Sequence, residues 1–502
     1  MALAGGMVAT LFAPLNTDSG WYLVGARRLL EGDRLYVDII DVNPPLIFWL
    51  NTPVALVGQH FRVADDRLVA GAVAVALLAA MLLGQRVLSL APVPSRISRS
   101  GVLCGFLITI VLLSPYDVGQ RDQLAAIMFF PYSLLAARAA RQHGTPVWLS
   151  LVCGIFAGVG TALKPYFLAP WIAVELTVVM LRRDLRSCLR LDVAVFLLTQ
   201  SLFVVALLIV APGYLATVVP LARETYGAYG VSWRVVLTAK PVLFLLSCGL
   251  GAIAVYGLLP PRHHALAPVF GAASLGFLAS FVGQVAFSYQ LIPAQAFAAV
   301  ALVATASSVV LGLADCRSKS WWRRLVLIAV VAALLWVGAR IVPMIRGLSR
   351  NLGLAVTSPY PQAVSVMADT VREVAAGEPV YFLSTSVWPA FPVVNLAGAK
   401  WPYRYNCLWP IPSWYGEPSS TSYRQPDDQS GLERVFFETV VADLVRTPPR
   451  LLVVERGVAM QGMRGHDFDF VKYFSGSPEF AALFRRYRRL GRIAAWEFFE
   501  LP

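Results

Sequence analysis

A series of long apolar runs, separated by short polar loops, constrains the fold of this chain more than any other feature. A helix that crosses a bilayer needs about 20 apolar residues. Only 14% of the 502 residues are charged, whereas a soluble domain carries roughly 25%. We therefore predict a polytopic α-helical membrane protein with about eleven transmembrane helices. They lie at residues 1–14, 66–84, 101–114, 123–137, 147–163, 165–181, 192–211, 240–259, 265–283, 290–313 and 325–342.

The arginines give the orientation of these helices. The net charge of +13 comes from short loops on one side of the predicted helices, such as residues 182–190 and 317–324. Short basic loops stay in the cytoplasm. Residues 44–58 contain Asn51 and Pro53, and we interpret them as a helix in the membrane interface, because a further span would move every Arg-rich loop outside. The charge therefore has an explanation without nucleic acid, and no basic-aromatic stripe indicates a nucleic-acid partner.

The composition changes near residue 345, where polar residues increase and apolar runs shorten. Residues 379–384 and 450–455 have the pattern of buried strands, and a helical pattern precedes each. We predict a transmembrane module over 1–344 and a periplasmic α/β domain over 345–502. The segment 388–418 is rich in Pro, Trp and Tyr. It is either an irregular loop packed over the sheet or a lid that faces the membrane.

The predicted outer face collects polar residues from several separate loops. The first loop, residues 15–65, begins with Asp18 directly after the first apolar run. A carboxylate at the membrane boundary is costly to desolvate and is a functional-site candidate by default. The other loops add Asp117, Arg121, Asp122, Lys164, Arg223, Glu224, Tyr289 and Gln290.

These residue types suit the transfer of a group from a lipid phosphate to a hydroxyl. A carboxylate can accept the proton of an attacking hydroxyl, and cations stabilise the charge on a departing phosphate. Structural alternatives remain: Asp18 and Asp122 are also candidates for helix caps, Lys164 for a snorkelling side chain, and Tyr289 for the interfacial aromatic belt. The histidines and cysteines lack metal-ligand spacing, so we predict neither a metal nor another cofactor.

The first loop resembles that of the GT-C superfamily of membrane glycosyltransferases, a group that includes the aminoarabinose transferase, the protein O-mannosyltransferases and the arabinosyltransferases. The resemblance lies in Asp18 after the first span, in the Leu-Tyr-x-Asp sequence at 35–38 and in Pro-Pro-Leu-x-Phe-Trp-Leu at 44–50. It implies a polyprenyl-phosphate sugar as donor and an acceptor outside the inner membrane. Asn43 stands where several relatives have lysine, and Ser19 where they have glutamate.

The resemblance also implies roles for individual residues. Asp18 would be the catalytic carboxylate, and Asp122 or Asp117 the second one. Lys164 would be a phosphate-binding lysine, and Tyr289 a tyrosine of the donor site. Our own hypothesis adds Arg223, Arg121 and Asn43 to the phosphate contacts. It assigns acceptor or lid positions to Tyr36, Asp41, Glu224, Gln290, Trp401 and Arg404.

The predicted function is inverting transfer of a sugar from a polyprenyl phosphate to a glycan, lipid or protein acceptor at the periplasmic face. Membrane lipids would be its other partners. Two alternatives are a transporter or flippase of lipid-linked sugars, and a glycan ligase or polymerase that uses a pyrophosphate carrier. The first would favour broken helices with an inverted repeat. The second would favour more outer-face cations or a metal site. A scaffold for envelope assembly would leave the polar residues of the outer face unexplained.

Overall fold

The computed structural model describes residues 2–90, 96–258, 265–284, 287–314, 328, 360–417 and 423–502. The chain divides into two compact units. The helical unit contains Met1–Pro14, Ala70–Val205 and Val231–Thr357, and the mixed unit contains Leu15–Val69, Ala206–Gly230 and Ser358–Pro502. The mixed unit thus groups the first loop with the C-terminal region, and the predicted boundary at 344/345 stays a prediction.

The apolar runs form helices within a few residues of the predicted spans. Five helices in the described ranges are long and apolar enough to cross a membrane: Asp65–Leu90, Pro165–Arg182, Leu191–Val210, Lys240–Gly257 and Ser288–Val309. Shorter apolar helices cover Arg99–Leu112, Val147–Ala162 and Leu266–Val282. The predicted span 325–342 falls outside the described residues, apart from residue 328. The helices are those of an integral membrane protein.

Fourteen helices precede the C-terminal region in the described residues. They are α1 (Ala2–Leu11), α2 (Thr17–Leu30), α3 (Leu46–Phe61), α4 (Asp65–Leu90), α5 (Arg96–Leu112), α6 (Arg121–Ala139), α7 (Val147–Ala162), α8 (Leu168–Arg182), α9 (Leu191–Val210), α10 (Val219–Thr225), α11 (Trp233–Thr238), α12 (Lys240–Leu258), α13 (Leu266–Val282) and α14 (Ile292–Ala314). Helix α3 matches the segment predicted to lie in the interface, and its 16 residues are fewer than a span needs.

Helix α6 is the centre of the helical unit and is buried along nearly its whole length. A helix that is apolar on all sides belongs in a core. Its Phe130 ring stacks on Phe106 of α5 at 4.0 Å, and Phe129 meets Phe277 of α13 edge to face at 5.8 Å. On the other side of α13, Gly276 lies so close to Pro170 of α8 that a Cβ there would be 2.3 Å from the proline Cα.

A buried ionic network joins α6, α8 and α9 at one end of the helical unit. Tyr132 Oη donates to Glu175 Oε1 (2.7 Å), and Arg190 donates to both Glu175 oxygens and to Asp192. Glu175 is thus paired with neighbouring elements, as burial of a charge in a helix bundle requires.

The C-terminal part of the mixed unit is a four-stranded sheet with helices. Its strands are β1 (Val380–Leu383), β2 (Leu451–Glu455), β3 (Arg488–Ile493) and β4 (Trp496–Glu500), in the order β1-β2-β4-β3. Strands β1 and β2 are parallel, with Leu383 opposite Val454, and the other pairs are antiparallel. The helices are α15 (Gln362–Ala375), α16 (Ala390–Ala397), α17 (Ile411–Tyr415), α18 (Gly431–Arg446), α19 (Phe470–Phe474) and α20 (Pro478–Phe484).

Two predicted strands are confirmed, and the hairpin β3–β4 is an addition that the sequence patterns did not indicate. The Pro- and Trp-rich segment 388–418 contains the short helices α16 and α17. Most of its described aromatic residues are buried: Trp401 stacks on Tyr381 of β1 at 4.9 Å. These contacts agree with the interpretation of a packed segment over the sheet.

Candidate active site

Asp18 lies in the first turn of α2, within the mixed unit. The Asn16 carboxamide oxygen accepts hydrogen bonds from the backbone N–H groups of Asp18 and Ser19, so Asn16 caps the helix and the Asp18 carboxylate is not used for that purpose. The Asp18 side chain is partly exposed. The N-terminal end of a helix favours negative charge. This arrangement places the Asp18 carboxylate at a defined position in the first turn of α2.

The first loop is held against the C-terminal segment 401–406. Ile40 N donates to Arg404 O (2.7 Å), and the buried Arg28 donates to Tyr403 O (2.6 Å). Asn395 of α16 donates to Asp65 (2.8 Å), at the far end of the loop. These bonds explain why residues 15–69 belong to the same compact unit as the C-terminal sheet.

Asp41 is buried, with 1% of its surface exposed, and neutral groups donate to it. Trp21 Nε1 and Asn406 Nδ2 donate to Oδ2 at 2.7 and 3.0 Å, and Asn43 N donates to Oδ1 at 2.7 Å. The Asn43 carboxamide in turn donates to Tyr22 Oη (3.1 Å). Asp41 therefore fixes the turn that leads into α3. Its predicted contact with an acceptor stays a prediction, as does the contact of Asn43 with phosphate.

A group of polar residues lies at the carboxyl ends of the parallel strands β1 and β2. Ser384 follows β1 and donates to Glu455 Oε2 at the end of β2 (2.7 Å), while Leu408 N donates to Ser384 O (2.7 Å). Burial raises the pKa of Glu455, and the Ser384 hydrogen bond opposes part of this rise. Burial also raises the pKa of the Cys407 thiol well above its usual value, and Asp41, Asp18 and Glu455 add to this rise through their charge. The charges of three carboxyl groups thus act on the Cys407 thiol.

The helical unit holds a second polar group around Lys164. Lys164 Nζ donates to Asp122 Oδ2 (2.6 Å) and to Gln284 Oε1 (2.7 Å), and it lies 5.6 Å from the Tyr289 ring centroid. Lys164 is 4% and Asp122 0% exposed. The second oxygen of Asp122, Oδ1, is buried, and no described residue donates a hydrogen bond to it. The prediction placed Asp122, Lys164 and Tyr289 together, and the structure brings them together.

The other predicted residues of the helical unit are close in sequence to Asp122 or to Tyr289. Arg121 precedes Asp122 in the first turn of α6 and is buried. Asp117 is half-buried in the turn before α6, where its backbone bonds Ser114 and Gln120. Gln290 accepts from Phe287 N (3.1 Å) and so stabilises the turn Ser288–Leu291.

The other predicted residues lie in the mixed unit. Arg223 and Glu224 are exposed on α10, where Glu224 accepts a hydrogen bond from Trp414 Nε1 (3.3 Å). Trp401 is a core residue, Arg404 bonds Asp443, and Tyr36 Oη donates to Asn43 O. The core position of Trp401 and the hydrogen bonds of Arg404 and Tyr36 stabilise the fold. The roles of these residues toward an acceptor stay predictions.

Sequence reasoning missed Gln284, Asn406, Trp409 and Glu455. Gln284 follows α13, just before the short polar stretch that contains Tyr289, and this proximity was the available signal. Asn406 and Trp409 stood in a segment dense in aromatic residues, which offered no way to rank them. In the part of the chain that the structure describes, no group of three or more His, Cys, Asp or Glu residues is arranged to hold a metal ion.

No protein-family model matches the chain, and no curated protein matches its sequence. Solved structures do share its fold. ArnT from Cupriavidus metallidurans bound to undecaprenyl phosphate matches with a TM-score of 0.56 and 14% identity, over 100% of this chain and 96% of that one. The apo state of ArnT matches with a TM-score of 0.52 and 12% identity, over 100% and 97%.

The chain therefore shares the fold of ArnT over its full length. The particular likeness is to ArnT, the aminoarabinose transferase, so the resemblance found in the first loop is confirmed at the level of the fold.

Proposed function

We propose that this protein is a GT-C-type glycosyltransferase that moves a sugar from a polyprenyl phosphate to a hydroxyl acceptor at the periplasmic face of the inner membrane. The observation that carries this proposal is the shared fold over the full length with ArnT bound to undecaprenyl phosphate. The residues of this chain add a partly exposed carboxylate at the start of α2 and a buried lysine beside Asp122.

In the proposed reaction the acceptor hydroxyl oxygen attacks the anomeric carbon of the donor sugar. A new carbon–oxygen bond forms while the bond to the phosphate oxygen breaks, and the lipid phosphate leaves with the electron pair. Asp18 takes the proton of the attacking hydroxyl and later releases it to water. One displacement inverts the anomeric configuration. No metal or other cofactor enters this proposal, because cations of the chain can stabilise the phosphate.

Lys164 is the main candidate for the phosphate contact. Its ammonium is held by Asp122 and Gln284, so its position is set before the donor arrives. Preorganised charges stabilise a departing anion more than mobile ones do. Asp122 is then the residue that orients Lys164, and this assignment favours Asp122 over Asp117 as the second carboxylate. Arg121, Arg223, Asn43 and Tyr289 remain candidates for further donor contacts.

The alternatives make different demands on the donor. A pyrophosphate-dependent ligase or polymerase would use a polyprenyl pyrophosphate, and a flippase would move the lipid without breaking a bond. A monophosphate donor is favoured because ArnT, which shares this fold, is bound to undecaprenyl phosphate, a lipid that carries one phosphate.

The test is transfer from radiolabelled polyprenyl-phosphate sugars to an extract of cell-envelope acceptors, with the full chain in proteoliposomes. We expect release of free polyprenyl phosphate and a product of inverted anomeric configuration. The matched donor is the same sugar on polyprenyl pyrophosphate, from which we expect no transfer. Transfer from the pyrophosphate donor alone, or movement of the intact lipid without release of phosphate, would replace the proposal with one of its alternatives.

A further inference from the structure

Two buried polar atoms in the mixed unit have no partner among the described residues. They are Asn406 Oδ1, which can only accept a hydrogen bond, and Trp409 Nε1, which can only donate one. Asn406 is 6% and Trp409 4% exposed. Buried polar groups are nearly always hydrogen-bonded, and an exception calls for an explanation.

Both residues are held firmly in place. The Asn406 amide nitrogen donates to Asp41 Oδ2 (3.0 Å), and this bond decides which end of the carboxamide is the acceptor that stays unsatisfied. Trp409 is held through its backbone, where its carbonyl accepts from Tyr229 Oη (3.3 Å), and its ring meets Tyr226 edge to face at 6.0 Å. Between them, Leu408 N and Cys407 Sγ bond the carbonyls of Ser384 and Thr385.

Segment 406–409 therefore runs along the carboxyl end of β1, beside the end of β2. Ligands of open α/β sheets bind preferentially outside the carboxyl ends of parallel strands. Strands β1 and β2 are the parallel pair of this sheet. Both unpartnered atoms belong to the segment that runs along this end of the pair.

The charges at this position select the chemistry of a ligand. Hydrogen bonds place two carboxyl groups here: Asp41 accepts from Asn406 Nδ2, and Glu455 accepts from Ser384 Oγ. A field of carboxylates disfavours an anionic ligand. An ammonium would suit the field and could donate to Asn406 Oδ1, but it has no lone pair to accept from Trp409 Nε1. A hydroxyl both donates and accepts, so the hydroxyl groups of one ligand can match an acceptor such as Asn406 Oδ1 and a donor such as Trp409 Nε1.

We propose that Asn406 and Trp409 form a subsite that recognises the hydroxyl groups of a neutral acceptor, a glycan or polyol, and that Asp41 positions Asn406 for this contact. Naming the ligand as the acceptor rests on the proposed glycosyltransferase function, whereas the selection of neutral hydroxyl groups does not.

The test measures binding of methyl glucoside, glucosamine and glucuronate to the full chain in detergent micelles, by ligand-observed NMR. These probes have similar rings and are neutral, cationic and anionic. We expect the neutral probe to bind most tightly. Trp409→Phe removes one donor and should weaken its binding by about 2–10-fold. The smaller ring also removes packing from a buried site, so the melting temperature of Trp409→Phe is measured alongside binding.

Trp388→Phe is the matched control, since Trp388 lies in the same segment and is 41% exposed; it should leave binding unchanged. Asn406→Leu carries the test if Trp409→Phe lowers the melting temperature strongly, and it should weaken binding by a similar factor. Equal binding of the charged probes, or unchanged binding in both variants, would overturn the inference and leave a bound water as the partner of these atoms. Because this assay uses no lipid donor, its result is separate from that of the transfer assay.

Discussion

The two units each bury a carboxylate, and they stabilise it in opposite ways. Asp122 of the helical unit is held by the ammonium of Lys164, while one of its oxygens has no donor among the described residues. Asp41 of the mixed unit is held by an indole, a carboxamide and a backbone N–H. The first arrangement cancels charge and leaves hydrogen-bonding capacity open, whereas the second satisfies both oxygens with neutral donors.

This difference indicates different tasks. A buried cation that already has a carboxylate partner can move its attraction to an arriving phosphate, because both partners are anions. A carboxylate held by neutral donors has no cation to release to a phosphate. It serves to fix the positions of the groups that donate to it. The Lys164–Asp122 pair therefore has the chemistry that the proposed phosphate contact needs, and Asp41 has the chemistry of a residue that fixes the groups around it.

Replacement of the buried aspartate by asparagine at each of the two sites is the most direct test of this comparison. Asp122→Asn removes the charge that balances Lys164 and leaves a buried ammonium uncompensated. We expect a loss of about 3–5 kcal/mol in the free energy of unfolding. The measurement is denaturant or thermal unfolding of the purified protein in detergent, followed by tryptophan fluorescence.

A double variant sharpens that result. Replacing a buried ion pair by apolar residues of similar volume is often neutral or stabilising, so Lys164→Met combined with Asp122→Leu should recover most of the lost stability. It should not recover transfer, because the phosphate contact is gone. Recovery of activity in the double variant would show that Lys164 serves only the fold.

Asp41→Asn should have a smaller effect than Asp122→Asn. It removes a charge that neutral groups stabilise and places one amide N–H₂ against a donor, which we expect to cost about 1–3 kcal/mol of stability. The unfolding assay is the same. Equal losses at the two positions would contradict the distinction between a cation-held and a donor-held carboxylate.

Glu455→Gln should have the smallest effect, visible in the pH dependence of stability. The raised pKa of Glu455 means that the folded protein keeps a proton that the unfolded chain releases at about pH 4.5, the ordinary value. Stability contributed by this group is thus lost as the pH rises from 4.5 through the raised pKa. Glutamine can still accept the Ser384 hydrogen bond, so the melting temperature of the variant should fall less over this range. Parallel pH profiles for the two proteins would argue against a raised pKa.

The sequence predicts the parts of this fold that depend on local pattern. The span predicted at 147–163 is α7 (Val147–Ala162), and the strand predicted at 450–455 is β2, because apolar content decides both. The hairpin β3–β4 was missed because half of the residues in its first strand are charged and its turn uses Ala494 at φ +52°. Turns with positive φ usually contain Asn or Gly, and these residues are the sequence signal for such turns.

The candidate site was predictable in its residue types but not in its pairings. Asp122 and Lys164 stood out as charges at the ends of apolar runs, yet they are 42 positions apart and their bond is a product of tertiary packing. The donors to Asp41 come from positions 21, 43 and 406. Only the folded chain brings such distant groups together, so no spacing rule could find Asn406 or Trp409.

The central claim is that Asp18 removes the acceptor proton while the lipid phosphate departs. The most direct test is the single-turnover rate of sugar transfer by Asp18→Asn, compared with Glu31→Gln, an exposed carboxylate at the other end of α2. A positioned base contributes about 10²–10⁴-fold to the rate. The account predicts a loss of that size in Asp18→Asn, with an unchanged melting temperature, and a normal rate in Glu31→Gln. A near wild-type rate in folded Asp18→Asn would contradict it.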